Sequence, residues 1–352
     1  MEKHIILAVN PGSTSTKMAF FEDDVEVCRE TLHHDASLRA QFPRIWDQFE
    51  FRQKAVLEWS LRFARNPHAV VGMGGLLKPL TSGTYRVSEA MIADARANFQ
   101  GEHASNLGCA MAHDLARHYD VTAYVVDPVS VDEFEDVARY SGHPRIERKT
   151  LSHALNIHAT ARQAAVELGV PYRESAFVVA HLGGGISIAP LLNGRIVDVN
   201  DASSDGPFSP ERTGGLPLQQ FIGLCCSGEH SEAELRTMVM GKGGLMAYLG
   251  SNSAVEVERR IADGDANARA IYQAMAYQIA KEIGSMATVL RGSLRAVVLT
   301  GGLASSQLLV SWISERVRWI APVLVYPGEN EMRAMALGVL RVLRGDEQAL
   351  EY

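Results

Sequence analysis

The stretch VNPGSTSTK, Val9–Lys17, leaves an apolar run through asparagine, proline, glycine, four consecutive hydroxyl residues and a lysine. A second stretch, HLGGGIS at 181–187, sets three glycines, Gly183, Gly184 and Gly185, between apolar residues. Glycine lets backbone N–H groups approach an oxyanion closely, and hydroxyls add donors, so both stretches suit phosphate oxygens. Either one alone is equally well a glycine-rich β-turn without a ligand; two at matching points of two halves favour the ligand. No G-x-x-x-x-G-K-[ST] occurs, and Gly72-Met73-Gly74-Gly75 does not fit G-x-G-x-x-G. A P-loop is therefore excluded, and a Rossmann dinucleotide site has little support.

Charged residues near glycine and proline extend this chemistry. Arg212 lies in GPFSPERTGG, 206–215, where a fixed arginine suits a carboxylate or a phosphoryl group in transfer. The alternative is a surface ion pair, with Glu211 as partner. Asp127 ends a β-forming stretch before Pro128 and suits Mg2+, or simply caps a turn. Glu331 opens the last helical stretch, as a metal ligand or as a favourable first-turn charge. His103, His153 and His181 flank polar loops, whereas His4, His33 and His34 read as structural.

Such residues need elements to hold them. Strand-like segments are expected at 4–10, 17–22, 68–75, 121–127, 176–199 (three strands, with a turn at Asn193-Gly194), 295–302 and 322–326. Helices are expected at 88–99, 106–119, 152–169, 216–226, 231–240, 254–263, 265–291, between the strands 295–302 and 322–326, and from about 329. In the longest, Ile271, Met275, Ile279, Ile283 and Ala287 recur every four residues, as a core stripe or an interface. Ligands of α/β sheets collect outside the carboxyl ends of strands. Those ends are Asn10–Lys17, Gly72–Lys78, Asp127, His181–Ser187 and Thr300–Ala304. Strand–glycine turn–strand occurs once near the start of each half, which predicts two related α/β domains facing a cleft.

The size and charge agree. A chain of 352 residues is long for one core, and 47% hydrophobic residues suffice for two. A net charge of -7 without long basic runs argues against nucleic acid as partner. Cys28, Cys109, Cys225 and Cys226 form no C-x-x-C and read as reduced thiols. Five apolar residues near the start are too few for a signal peptide, and no run approaches the roughly 18 needed to span a bilayer. The expectation is a soluble, cytoplasmic protein that does not engage membranes.

Taken together, VNPGSTSTK, GGLLKPL, GEHASNLG, VVDPVSVDEF, PRIERKTLSHALN, HLGGGISIA, GPFSPERTGGLP, AMAYQIAKEIG, LTGGLA and PGENE resemble the acetate and butyrate kinase family over almost the whole chain. The family lies within the actin, sugar-kinase and Hsp70-like superfamily. Lys149, where acetate and propionate kinases carry histidine, is similar to the butyrate branch. The resemblance implies an α/β fold of two duplicated ribonuclease H-like (actin-like ATPase) domains around a nucleotide cleft. Their expected bounds are 1–150 and 151–330, with 331–352 completing the first.

It further implies phosphoryl transfer between ATP and a short-chain fatty acid, giving an acyl phosphate and ADP, with Mg2+. Asn10, Ser13, Ser15 and Lys17 match the first phosphate loop, and His181 with Gly183, Gly184 and Gly185 the second. Gly301 and Gly302 match the adenosine turn. Asn10, Asp127 and Glu331 match residues near the metal, and Arg212, Asp127 and His181 the catalytic set. Arg212, His103 and Met73 fall on the substrate side. A homodimer or larger homo-oligomer is implied as well.

Two positions depart from the family. Met73 stands where butyrate kinases read arginine in GRGG, and Ser253 where relatives often carry aspartate. The alternatives left open are a branched-chain (isobutyrate), propionate or acetate kinase, and a catalytically impaired nucleotide-binding regulatory protein. A sugar kinase fits the fold but matches the loops less well.

Overall fold

The computed structural model describes residues 3–63 and 65–352. The chain forms two compact units, Met1–Asp132 with Asn330–Tyr352, and Glu133–Glu329.

The first unit is built on β1 (Ile5–Pro11), β2 (Ser15–Glu22), β3 (Val25–His33), β4 (Ala69–Gly72), β5 (Thr84–Arg86) and β6 (Thr122–Val126), in the order β3-β2-β1-β4-β6-β5. β3, β2 and β1 form an antiparallel meander; β4 runs parallel to β1, and β6 parallel to β4. Its helices are α1 (Ala36–Arg39), α2 (Phe49–Ser60), α3 (Glu89–Arg96), α4 (Leu107–Tyr119) and a C-terminal helix, Glu331–Leu343. Every residue of β1 is buried, as expected of a strand covered on both faces. Leu107, Met111 and Leu115 of α4 share a core with Leu7, Val9, Phe20 and Val70. The C-terminal helix packs on β1, β4 and β6, so closely that a Cβ on Gly338 would stand 2.5 Å from Val126.

The second unit opens with a hairpin of β7 (Tyr140–His143) and β8 (Ile146–Glu147). Its main sheet comprises β9 (Ala176–Leu182), β10 (Ile186–Leu192), β11 (Arg195–Ile196), β12 (Ala296–Gly301) and β13 (Val323–Pro327), ordered β11-β10-β9-β12-β13. An antiparallel meander again adjoins parallel strands, so the two sheets share one plan. Its helices are α5 (Ala154–Glu167), α6 (Leu218–Cys226), α7 (Glu232–Val239), α8 (Gly244–Leu249), α9 (Ala254–Ala262), α10 (Ala266–Val289) and α11 (Gln307–Val317). The α10 stripe is core: Met275, Ile279, Ile283 and Ala287 are buried with Val178, Ile188 and Leu299. Fully buried Tyr272 joins that stripe, and Ile271 lies partly buried at its margin.

Several elements differ from the sequence expectation. β3, β5, β7, β8, α1, α2 and α8 were not expected from sequence. β3 has an exposed, charged pattern that carries little strand signal. The unit boundary falls at 132/133 rather than 150, because residues 133–150 are tied to the second unit. The Glu133 carboxylate accepts from the Ile196 N–H (3.0 Å), and Arg148 pairs with Asp198 (2.8 Å) and donates to the Val199 carbonyl (3.0 Å). The expected opening loop is largely strand: the β1–β2 ladder continues through Asn10↔Lys17 and Pro11↔Thr16. Only Gly12, Ser13 and Thr14 remain as the turn.

Candidate functional site

In the first unit, Val9, Gly72 and Val125 are neighbours across three parallel strands. Asn10, Met73 and Asp127 follow them, so all three reach the same carboxyl edge of the sheet. Asn10 is buried, 8% exposed, and its Nδ2 donates to Glu331 Oε2 at 2.7 Å. The first residue of the C-terminal helix is thereby joined to the end of β1.

Side chains alternate across a strand, and directly paired residues share a face. Asn10, Ser15 and Lys17 therefore share one face of the hairpin, with Ser13 exposed in its turn. Lys17 forms no ion pair among the described residues. Thr16 points the other way and is fully buried. Beneath it lies Arg52 of α2, 0% exposed, which donates through Nη1 to the carbonyls of Gly12 (2.8 Å) and Ser15 (3.3 Å) and to Thr16 Oγ1 (3.3 Å). Gln48 Oε1 accepts from the other side of the guanidinium, and His34 Nε2 bonds Thr16 Oγ1 at 2.8 Å. Burial, with Arg52 and Arg39 adding positive charge, pushes the His34 pKa down to about 4, so His34 is neutral at pH 7.

Asp127 is buried and adopts φ +38°, a left-handed conformation unusual outside glycine. It is locked to Gly83: the Gly83 N–H donates to Asp127 Oδ1 (2.7 Å), and the Asp127 N–H to the Gly83 carbonyl (3.0 Å). The turn-capping role is thus real, and the strained backbone fixes the direction of the carboxylate.

The Met73 N–H donates to the Val9 carbonyl (2.9 Å). A Cβ on Gly108 would stand 2.1 Å from the Met73 carbonyl oxygen, and one on Gly74 2.3 Å from Pro128. The Gly72–Gly75 backbone is therefore wedged in place. Asn106 stitches it to the next loop, accepting from the Leu76 N–H (2.8 Å) and donating to the Gly101 carbonyl (2.9 Å). His103 is exposed and caps the turn before α4, its Nδ1 bonded to Ser105.

In the second unit, Thr300 of β12 pairs with His181 of β9, so His181, Gly301 and the residues after Pro327 share the carboxyl edge of this sheet. His181 is 1% exposed; its Nδ1 bonds Asn156 Oδ1 (2.9 Å), and Nε2 lies 3.6 Å from Glu329. His153 stacks on it at 3.8 Å and bonds Ser187 Oγ (2.9 Å). Burial, then the neighbouring His181 and Arg212, holds the His153 pKa well below its ordinary value. Gly183–Gly185 turn back through a Gly183 N–H to Gly185 carbonyl bond (3.1 Å).

Arg212 is packed onto that turn. A Cβ on Gly185 would stand 2.5 Å from its Nη1, and Nη1 donates to the Ala202 carbonyl (3.1 Å). It forms no ion pair among the described residues, and Glu211 instead faces Gly184 and Asn252. Gly301 has φ +90°, and a Cβ there would meet the Leu182 carbonyl at 2.4 Å; Gly302 opens the short helical turn that follows.

Each unit thus assembles its own part of the sequence candidates. Asn10, Ser15, Lys17, Asp127 and Glu331 belong to the first, and His181, Gly183–Gly185, Arg212, Gly301 and Gly302 to the second. Arg52, Asn106 and Asn156 were missed. Arg52 gives itself away only by sharing a helix stripe with buried Val56 and Trp59, and Asn156 by its i,i+3 spacing from His153. Among the described residues no three His, Cys, Asp or Glu gather as a metal cage. Asp127 and Glu331 suit Mg2+, which binds through one or two carboxylates and keeps water and phosphate as further ligands.

Comparison with known proteins gives a consistent picture. A profile described as the acetokinase family matches residues 146–316. Butyrate kinase 2 of Clostridium acetobutylicum is 48% identical over 354 residues, covering 99% of this chain and 99% of that protein. The crystal structure of Porphyromonas gingivalis acetate kinase is similar at TM-score 0.80 with 17% identity, over 97% of this chain and 100% of that one. A propionate kinase from Francisella tularensis subsp. tularensis SCHU S4 is similar at TM-score 0.75 with 18% identity, over 95% and 98%. At those identities the two structures speak to the fold alone: two actin-like ATPase domains.

Proposed function

Since the chain belongs to the acetokinase family, we propose that it is a butyrate kinase, transferring a phosphoryl group between ATP and a short-chain fatty acid. The observation that carries this reading is the 48% identity with butyrate kinase 2 along essentially the whole chain.

In the forward direction a carboxylate oxygen forms a bond to the γ-phosphorus while the bond to the bridging oxygen breaks, leaving the electron pair on ADP. The carboxylate is already ionised at neutral pH, so no general base is needed. Such a transfer asks the protein for positioning and charge neutralisation. The face of the β1–β2 hairpin bearing Asn10, Ser15 and Lys17, together with Ser13 in its turn, would hold phosphoryl oxygens. In the second unit, His181 and Gly183–Gly185 would offer donors to phosphate oxygens, and Gly301-Gly302 would receive the adenosine. Arg212, with no carboxylate pairing it among the described residues, would meet the acid and the phosphoryl group in transfer. Asp127 and Glu331, with Asn10 holding the latter, would receive Mg2+, which supplies charge neutralisation on the phosphates when bound.

The acyl chain length preferred, a homo-oligomeric state and a cytoplasmic location belong to the proposal as well. Met73, where butyrate kinases read arginine, favours one second reading: a nucleotide-binding protein with impaired catalysis. ADP formation from Mg-ATP separates the two. Butyrate-dependent release is expected, and release that ignores butyrate would contradict the proposal.

A further inference from the structure

Arg52 is a fully buried cation with no carboxylate partner among the described residues. Its hydrogen-bond acceptors are two backbone carbonyls, a hydroxyl and the Gln48 amide oxygen, and the charged neighbour that acts on it is another cation, Arg39. Burial lowers its pKa to about 10, so it stays charged at neutral pH. A buried charge left uncompensated is costly, and folded chains ordinarily pair it. Here Arg52 sits directly beneath the turn whose outer face carries Ser13, Ser15 and Lys17. By drawing the Gly12 and Ser15 carbonyls inward, it also fixes the conformation of that turn.

We propose that Arg52 is a positioning residue for the nucleotide's phosphoryl chain, shaping the hairpin from behind and supplying a buried charge whose counter-anion is the bound phosphate. The inference rests on the reading that this hairpin receives phosphoryl groups. A carboxylate partner would defeat such a role by neutralising the cation before the ligand arrives. Neutral His34, holding Thr16 on the opposite side, keeps the second contact of the cage free of competing charge.

The test is the separate KM values for ATP and butyrate in Arg52→Lys and Arg52→Gln, alongside the melting temperature of each. Lysine keeps the charge but cannot reproduce the fork. The KM for ATP is expected to rise about threefold in the lysine variant and about tenfold in the glutamine variant, with the KM for butyrate within about twofold. A lowered melting temperature with unchanged KM values would make Arg52 merely structural and overturn the proposal, as would a parallel rise of both. If the glutamine variant does not fold, the lysine variant decides by the same ATP-against-butyrate split. Calorimetric titration with Mg-ADP keeps the inference apart from the functional reading. Weaker Mg-ADP binding in the variants upholds Arg52's role even if the wild type transfers nothing to butyrate, and equal binding overturns it.

Discussion

Arg212 rests on Gly185, so closely that a Cβ there would stand 2.5 Å from Nη1 and 2.8 Å from the guanidinium carbon. The absence of a side chain at 185 is what seats the arginine over the glycine turn. Gly185→Ala should push the guanidinium aside and lower kcat by about 10²-fold, the scale of a misplacement near 1 Å. Arg212→Ala should go further, about 10³-fold or more, because an arginine on a moving phosphoryl group is worth about 4–7 kcal/mol of barrier. Retention of a tenth of wild-type kcat by Arg212→Ala would remove it from the transfer.

Asn10 and Glu331 offer a metal-dependent readout. Asn10→Asp would set two carboxylates at hydrogen-bond distance, where the native pair is 2.7 Å apart. Without divalent metal the variant should be destabilised by about 1–3 kcal/mol, and Mg2+ should restore much of this. Thermal unfolding with and without Mg2+ measures it. No recovery would place the metal elsewhere.

Met73 sits on a backbone that glycines at 72, 74 and 108 hold without slack, so a substitution at 73 changes the side chain and little else. Met73→Arg should raise kcat/KM for the carboxylate substrate. An unchanged value would show that position 73 is not a missing clamp.

His34 gives the first unit a titratable weak point. Its folded pKa lies near 4, against 6.5 for an unperturbed histidine, because of burial and then Arg52, Arg39 and His33. The folded state thus binds fewer protons than the unfolded state between those values, and stability must fall as pH drops from about 6.5 to about 4. The contribution is on the order of 2–3 kcal/mol. Half-buried Asp205, pushed up to about 6, acts in the opposite sense over part of this range, so the comparison is best made as a difference. Denaturant unfolding of wild type and His34→Gln across pH 4–7 should show a shallower acid loss in the variant. Superimposable profiles would show that His34 does not titrate as argued.

What the sequence made legible follows from how each feature is encoded. The β9–β10 pair was plain because six apolar or small residues, interrupted only by His181, run into three glycines. The α10 stripe showed its period of four, although Tyr272 rather than Ile271 fills the core. β3 stayed hidden because an edge strand open to solvent carries charges where an inner strand carries valines. The opening hairpin was mistaken for a long loop because Ser15, Thr16 and Lys17 look like turn residues until their ladder partners are known. Arg52 was invisible for a related reason. An arginine within a helix usually faces solvent, and only tertiary packing reveals that this one serves two carbonyls and a hydroxyl 36 to 40 residues away.

The most direct test of the central claim is acyl phosphate formation from Mg-ATP with acetate, propionate, butyrate, isobutyrate and isovalerate, trapped by hydroxylamine. The account predicts an acyl hydroxamate, greatest with butyrate or a branched four- or five-carbon acid. Tight Mg-ATP binding with no hydroxamate from any acid would contradict it.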